Sequence, residues 1–393
     1  MRVAYICVYQ GPELLAQRPI TRGRSIAGSE KSRLVASAMA LAGHDVYCIA
    51  EAIPTDRSNK FYPSFESTIV GFPAIKVVYA SGFDSKIINN LWGRFSNYFR
   101  LWREHKRKPF SAVVIYDLSI LQMFYVLYAH YILRIPVIID YEDDGLVTLN
   151  GTITLFNKIT GLGLKTIRSI VNGCLAISPQ LFKQFPIECP QCLVRGIADS
   201  DLIERAHANN QKKKIVLYSG GLTSSKGVDV LLAAWEKAKR QEWSLHITGT
   251  GPLADRCEAA AKADVSIIFF GEVSREKYLN LLCEASICVN PNRITKKPGN
   301  IFPFKIVEYL ASGAVVVSTR MCEFDSQMLP SMIFTDSDHC DDLSAGIAKA
   351  IDSPLITGGA QYAIAAYGLP AVSISIDALL QAAVDHYQAS QRG

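Results

Sequence analysis

Short unbroken apolar runs recur along the chain, each closed by a glycine or polar turn and followed by a stretch of helical period. Residues 2–9 form the first run, and a polar loop over 10–24 follows it. Ala27-Gly28-Ser29-Glu30 opens a helix to about Leu41, Gly43-His44 ends it, and 46–50 is the next strand. Further strands are expected at 75–79, 112–116, 137–139, 174–177 and 192–194. Runs of this kind, apolar at every position, suit parallel strands covered on both faces by helices. The polar stretch 199–214, with Asn209, Asn210 and Lys212–Lys214, reads as a linker. The same rhythm then restarts. Val216-Leu-Tyr-Ser-Gly-Gly-Leu-Thr-Ser-Ser-Lys-Gly227 is strand, glycine turn and the entry to a helix over 228–240. Strands at 245–248, 267–270, 287–290, 314–317 and 333–335 alternate with helices at 278–285 and 341–351, and 355–393 reads as amphipathic helix. At 393 residues the chain is long for one core, so two doubly wound α/β domains are expected.

Ligands of open parallel sheets sit beyond the carboxyl ends of the strands, so the residues just after each run are the candidate site. Gly220 and Gly221, after Ser219, let a backbone approach a diphosphate closely, and Lys226 adds a compact positive charge. Gly249-Thr-Gly251 is a second close-approach turn. In Gly299-Asn-Ile-Phe-Pro-Phe-Lys-Ile-Val-Glu-Tyr-Leu-Ala-Ser-Gly313, Pro303 suits the first helical position, Asn300 is a cap and Gly313 ends the helix. Such a helix start favours a phosphate. Glu308, three residues after Lys305, could accept two ribose hydroxyls; an exposed Lys305–Glu308 pair on an ordinary helix is the alternative.

Pro-Phe-Lys-Ile-Val-Glu-Tyr-Leu-Ala-Ser-Gly resembles the nucleotide-sugar signature of the retaining GT-B glycosyltransferases, the family 4-like group. The resemblance implies two Rossmann-like domains facing across a cleft, the second binding a nucleotide sugar. It places Glu308 on the ribose. It also places Ser219, Gly220, Gly221, Lys226, Gly249, Gly251, Val273, Asn300, Ile301, Phe302 and Lys305 around the donor, with Gly28 contributing from the first domain. Gly220-Gly-Leu-x-x-x-Lys-Gly227 is similar to the family's Gly-Arg-Leu-x-x-x-Lys-Gly, but Gly221 stands where many members carry arginine. Many members also carry a glutamate where this chain has Asn300. Gly28-Ser29-Glu30, a helix and Gly43-His-Asp-Val46 resemble the opening of the family's acceptor domain, and Arg195-Gly-Ile-Ala-Asp199 its closing turn, with Arg195 in place of asparagine.

Two acidic strand ends, Tyr116-Asp117 and Asp140-Tyr-Glu-Asp-Asp144, lie where an acceptor would be bound. Asp117, Glu142 or Asp143 could take a hydroxyl proton or hold sugar hydroxyls; a helix cap or loop charge is the competing role. The resemblance implies a front-face reaction in which Lys226, helix starts and glycine turns stabilise the departing diphosphate, which accepts the acceptor's proton.

Hydrophobic residues make up 49% of the chain and charged residues 20%, with net charge +5, which fits an acidic substrate or anionic surface and is too weak to argue for nucleic acid. The ten cysteines lack framework spacing and read as reduced core thiols of a cytoplasmic protein, the lone Cys189-Pro-Gln-Cys192 being incidental. The Asp-Ser-Asp triplets at 199–201 and 336–338 fall at helix entries, and neither a metal nor a cofactor is expected. No signal peptide is visible, and 118–133 reads as a buried helix, cut short by Arg134 and Pro136. The helix expected over 87–108 carries Trp92, Phe95, Phe99 and Trp102 at helical spacing and ends in basic residues. That pattern fits an ordinary packed helix with a cationic end, or a face on an anionic membrane.

The expected organisation is an acceptor domain over 1–198, a linker over 199–214 and a donor domain over 215–370. A last helix over 371–393, with 376–387 as its core, would return to the first domain. The expected activity is retaining, metal-independent transfer of a hexosyl group from a UDP- or GDP-linked sugar to a glycan or lipid-linked acceptor in polysaccharide or lipid-linked glycan assembly. A catalytically silent GT-B subunit and a nucleotide-sugar epimerase remain open.

Overall fold

The computed structural model describes residues 1–18, 26–50, 60–83, 86–142, 163, 165–208, 211–294, 301–353 and 358–391. Asp143, Asp144 and Asn300 lie outside the described residues. The chain divides into two compact units, Met1–Val194 with Leu369–Gly393, and Arg195–Gly368.

The first unit is built on an eight-stranded sheet. Its strands are β1 (Arg2–Cys7), β2 (Asp45–Ala50), β4 (Phe65–Ile69), β5 (Phe72–Tyr79), β7 (Ala112–Tyr116), β8 (Val137–Tyr141), β9 (Gly173–Ala176) and β10 (Gln191–Leu193). The order is β10-β9-β8-β7-β1-β2-β5-β4, parallel except for β4 against β5. The pair β3 (Phe61–Tyr62) and β6 (Gly82–Phe83) stands apart. Strand order reverses between β1 and β7, which opens a crevice at their carboxyl ends. The helix Leu369–Ser390 belongs to this unit and packs on β9 and on the helix Ile26–Leu41. Gly173 of β9 leaves room for it, since a Cβ there would meet Ala383 at 3.1 Å.

The second unit carries β11 (Lys213–Ser219), β12 (Ser244–Thr248), β13 (Ile267–Phe269), β14 (Ala285–Asn290), β15 (Val315–Thr319) and β16 (Met332–Thr335). The order β13-β12-β11-β14-β15-β16 is parallel throughout, with its switch point between β11 and β14. Val216, Tyr218, Leu245, Ile247, Ile287 and Val317 of the strands close with Leu231 and Trp235 of the helix Val228–Ala238 into one core.

Three expectations need correcting, and one open reading gains detail. The stretch read as a linker contains the helix Ser200–Ala208, anchored by buried Leu202 and by Asp199, which pairs with Arg275. Its polar residues are the exposed face of a helix. The signature helix starts at Lys305, with Phe304 rather than Asn300 at its cap. Pro303 therefore precedes it, and its carbonyl accepts from Ile306 N–H at 2.9 Å. In the helix Lys86–Arg107, Asn97, Leu101 and Glu104 face inward, while Phe95 and Phe99 are mostly exposed and Trp92 and Trp102 partly so, Trp92 donating to Ser81 Oγ at 3.1 Å and packing edge-on to Phe83. The apolar stretch read as a buried helix is the helix Ile120–Leu127 and the π-helical segment Tyr128–Leu133, and it leaves Phe124, Tyr131 and Ile132 exposed.

One charge is buried in the first unit's core. Lys31, on the helix Ile26–Leu41, is 1% exposed, and its Nζ lies 2.8 Å from Oδ1 of Asp140, which is 0% exposed. Tyr5 of β1 donates to the other oxygen of Asp140 at 2.7 Å. Burial alone would push the lysine toward neutrality, but Asp140 and then Glu142 outweigh it and raise its pKa. Lys31→Met leaves Asp140 uncompensated and is expected to cost about 3–5 kcal/mol in urea unfolding, and Lys31→Met/Asp140→Asn to recover most of it. A backbone constraint in the second unit gives a parallel expectation. Gly227 has φ +71°, and a Cβ there would lie 1.8 Å from the carbonyl of Pro291, so Gly227→Ala should cost about 2–3 kcal/mol. Gly221→Ala, with nothing within 4 Å of its Cβ, should stay within about 0.5 kcal/mol of wild type in the same measurement.

Candidate nucleotide site

In the second unit Ser219, Gly220, Gly221, Lys226, Lys305 and Glu308, six of the expected donor residues, gather at the switch point. Strand β11 delivers Ser219, and the chain turns outward through Gly220 (φ 136°) and Gly221, both exposed. The loop after β12 backs this turn. Gly220 N–H donates to Thr248 O at 3.1 Å and Leu222 N–H to Thr250 O at 2.8 Å. A Cβ on Gly249 would lie 1.8 Å from Gly220 O, and one on Gly251 would lie 2.5 Å from Leu222 O. These two glycines are therefore required by the meeting of two backbones, a constraint internal to the protein. Gly271 ties in the next loop, its carbonyl accepting from Gly249 N–H and Thr248 Oγ1, both at 2.8 Å; half-buried Val273 follows two residues on.

The signature helix Lys305–Ala311 lies beneath the turn. Its Tyr309 hydroxyl is 2.9 Å from Ser219 Oγ and accepts from Ser219 N–H at 3.1 Å. Ser219 is thus buried and committed to Tyr309, which fixes where the glycine turn begins. Glu308 is 7% exposed and accepts from the Tyr278 hydroxyl at 3.0 Å. Burial and then the Glu308 charge hold the Tyr278 phenol well above its usual range, so it stays a hydrogen-bond donor. The reading of Glu308 as half of an exposed surface pair is excluded by its burial.

Lys305 points the other way along the turn. Its Nζ donates to Ser219 O at 3.3 Å and sits 4.4 Å from the centre of the Tyr218 ring. Tyr218 in turn donates to Gly221 O at 2.8 Å. Removal from water, and then the charge of Lys226, lower the Lys305 pKa to about 7. Lys226 lies on the other side of the turn in the short segment Ser224–Lys226, capped by Thr223 and exposed to solvent. Two cations thus flank a turn that presents backbone and no side chain.

Other expected donor residues fall elsewhere. Phe302 is 3% exposed and packs between the Arg195 guanidinium, 4.9 Å away, and the Phe324 ring, 5.4 Å away, so it is a core residue. Ile301 before it is half-buried. The helix start is not open to a phosphate in the way expected: Ile306 and Val307 N–H already donate to the Pro303 and Phe304 carbonyls. Gly28 lies in the first unit, in the opening turn of the helix Ile26–Leu41.

The first unit brings together Asp117 and Glu142 at the carboxyl ends of β7 and β8. Glu142 accepts from the Tyr116 hydroxyl and lies 3.9 Å from Lys31 Nζ. Asp117 takes φ 60°, an uncommon conformation for a residue with a side chain, and its N–H donates to Asp140 O at 2.7 Å. Lys31, Tyr278 and Tyr309 were not singled out from the sequence, and Asp140 entered only as the start of an acidic strand end. A signal for Lys31 existed, because an aspartate closing the apolar run Val-Ile-Ile-Asp-Tyr141 calls for a buried cation.

Residues 213–353 match the family described as glycosyl transferases group 1. No curated protein sequence matches the chain. Its fold is shared over nearly the whole length with solved structures of low sequence identity. Sucrose-phosphate synthase from Thermosynechococcus elongatus superposes with a TM-score of 0.68 at 15% identity, covering 97% of this chain and 98% of that one. Anabaena Alr3699/HepE in complex with UDP-glucose gives 0.64 at 11% identity, covering 97% and 99%. An α,α-trehalose-phosphate synthase (UDP-forming) from Burkholderia xenovorans gives 0.66 at 10%, covering 96% and 99%. With two Rossmann-like units the chain has the fold of the GT-B glycosyltransferases, and the stretch that matches the glycosyl transferases group 1 family, residues 213–353, lies in the unit that carries the candidate nucleotide site.

Proposed function

We propose that the protein transfers a hexosyl group, with retention and without a metal, from a nucleotide-diphosphate sugar to a hydroxyl of a glycan or lipid-linked acceptor, in polysaccharide or lipid-linked glycan assembly. The observation that carries this reading is the pair Lys226 and Lys305 around the bare Gly220–Gly221 turn, with Glu308 buried behind it at the switch point of the sheet. Neighbours of the same fold bind UDP or UDP-glucose, which supports a nucleotide sugar as the donor.

In this reading Glu308, oriented by Tyr278, accepts the ribose hydroxyls. The diphosphate lies against Gly220 and Gly221, and its charge meets both lysines. Lys305 supplies the cation that family members carry as arginine at the position of Gly221. The acceptor oxygen bonds to the anomeric carbon as the bond from that carbon to the phosphate oxygen breaks. The acceptor's proton passes to that leaving oxygen, so no protein base is required for charge balance. The lysines stabilise the negative charge that grows on the diphosphate. Asp117 and Glu142, the latter oriented by Tyr116 and Lys31, hold acceptor hydroxyls in the first unit.

The test is a thermal-shift panel of UDP, GDP, ADP and their hexose conjugates. A donor at a hundred times its dissociation constant should stabilise the protein by about 2.7 kcal/mol, and Glu308→Ala should abolish the shift. Absence of a shift with every nucleotide would replace this reading with a silent GT-B subunit. Lys305 adds a pH signature. The groups that face it are Lys226, Cys288 and the Tyr218 and Tyr309 rings, none of them a carboxylate. Its folded pKa lies below its unfolded value, so the diphosphate must draw a proton onto it. UDP-hexose affinity should therefore fall roughly tenfold from pH 6.5 to 8.5 and be weaker but flat in Lys305→Met. Without ligand, the same depressed pKa makes the unfolded chain bind more protons between about pH 7 and 10.5. Lys305→Met should then raise the melting temperature below pH 7, with the gain vanishing toward pH 10.5.

A further inference from the structure

We propose that the exposed aromatic face of the helix Lys86–Arg107 seats the first unit on an anionic lipid bilayer. Trp92, Phe95, Phe99 and Trp102 are 44, 67, 56 and 40% exposed, and they recur at intervals of three and four residues. At about 100° per residue they form one stripe, roughly 170° around the helix from Asn97, Leu101 and Glu104, the side that packs inward. Apart from Leu101, the inner face holds a polar amide and a carboxylate, while the aromatic rings stand on the outer face, Trp92 at its edge donating to Ser81 Oγ at 3.1 Å. Large aromatic surface left in water in this pattern marks a contact, and tryptophan is suited to the headgroup region.

Charge selects the occupant. Lys106 continues the stripe by one more turn and makes no ion pair among the described residues. Arg103, Arg107 and Lys108 surround it, with side chains 48, 71 and 67% exposed. Glu104 pairs with Arg107 and Arg103 on the inward side, at 3.3 and 3.7 Å, and Asp45 accepts from Lys108, but the exposed stripe from Trp92 to Lys106 carries no acidic residue. An aromatic row that runs into a basic end is complementary to apolar chains under anionic headgroups. The segment Ile120–Leu133 packs beside this helix through Tyr125 and Tyr128 on Tyr98, with ring centres 4.6 and 5.1 Å apart, and adds the exposed Phe124, Tyr131 and Ile132. Among the described residues no helix is long and apolar enough to cross a membrane, so the contact is interfacial.

The experiment is co-sedimentation of the full chain with vesicles of phosphatidylcholine alone and of phosphatidylcholine containing about a third phosphatidylglycerol. The expected result is binding to the anionic vesicles only, weakening steeply with added salt. Phe95→Ser/Phe99→Ser and, separately, Lys106→Glu should each weaken it roughly tenfold or more with the melting temperature unchanged. All three side chains are exposed, so neither variant opens the core. Absence of binding to anionic vesicles, equal binding by the aromatic variant, or a wild-type dimer in sedimentation velocity that this variant dissociates would overturn the proposal. The readout does not depend on sugar transfer and separates from the nucleotide test above.

Discussion

The second unit depends on a meeting of two backbones. The turn after β12 lies so close to the turn after β11 that a single methyl group on Gly249 would reach 1.8 Å from Gly220 O. That approach holds Gly220 and Gly221 at the sheet's switch point with no side chain of their own. A surface made of bare backbone suits a diphosphate sterically but supplies little charge to match it. The charge comes from the flanks, from Lys226 beyond the turn and Lys305 below it. Tyr309 and Tyr278 fix the same corner from underneath, one through Ser219 and the other through Glu308. Removal of Lys305 from water is the energetic cost of this layout, and it leaves the lysine poised near neutrality to gain charge when an anion arrives.

The first unit solves a comparable problem with an ion pair. Its own switch point gathers Asp117, Asp140 and Glu142 within reach of one lysine. Asp140 is fully buried and Lys31 nearly so, with Tyr5 and Tyr116 as further donors. Such a network is weak evidence for stability but strongly fixes geometry, since each member is costly to leave unpaired. Glu142 is its partly exposed member and so the one able to meet a ligand.

What the sequence disclosed follows from the range of the interactions involved. Strand identity, the restart of the α/β rhythm near 215, the glycine turn and the Pro-Phe-Lys-Ile-Val-Glu signature are local patterns, and the structure contains them. The helix Ser200–Ala208 was misread because its polar face dominates its composition and only Leu202 is buried. The helix Lys86–Arg107 was expected to within a residue at each end, but its orientation was left open, because periodicity reveals an apolar stripe and not which side faces the core. Phe302 looked like a ligand contact by position in a motif, whereas its environment is set by Arg195 and Phe324, distant in sequence. Lys31, Tyr278 and Tyr309 act through partners far along the chain, so no local pattern marks them, although buried Asp140 called for a cation.

The most direct test of the account is a crystal structure of the chain with its nucleotide sugar bound. The account predicts ribose hydroxyls within about 3 Å of the Glu308 carboxylate and a diphosphate lying on Gly220 and Gly221, with both Lys226 and Lys305 at hydrogen-bond distance. A well-ordered nucleotide whose phosphates touch neither lysine, or whose ribose lies away from Glu308, would contradict it.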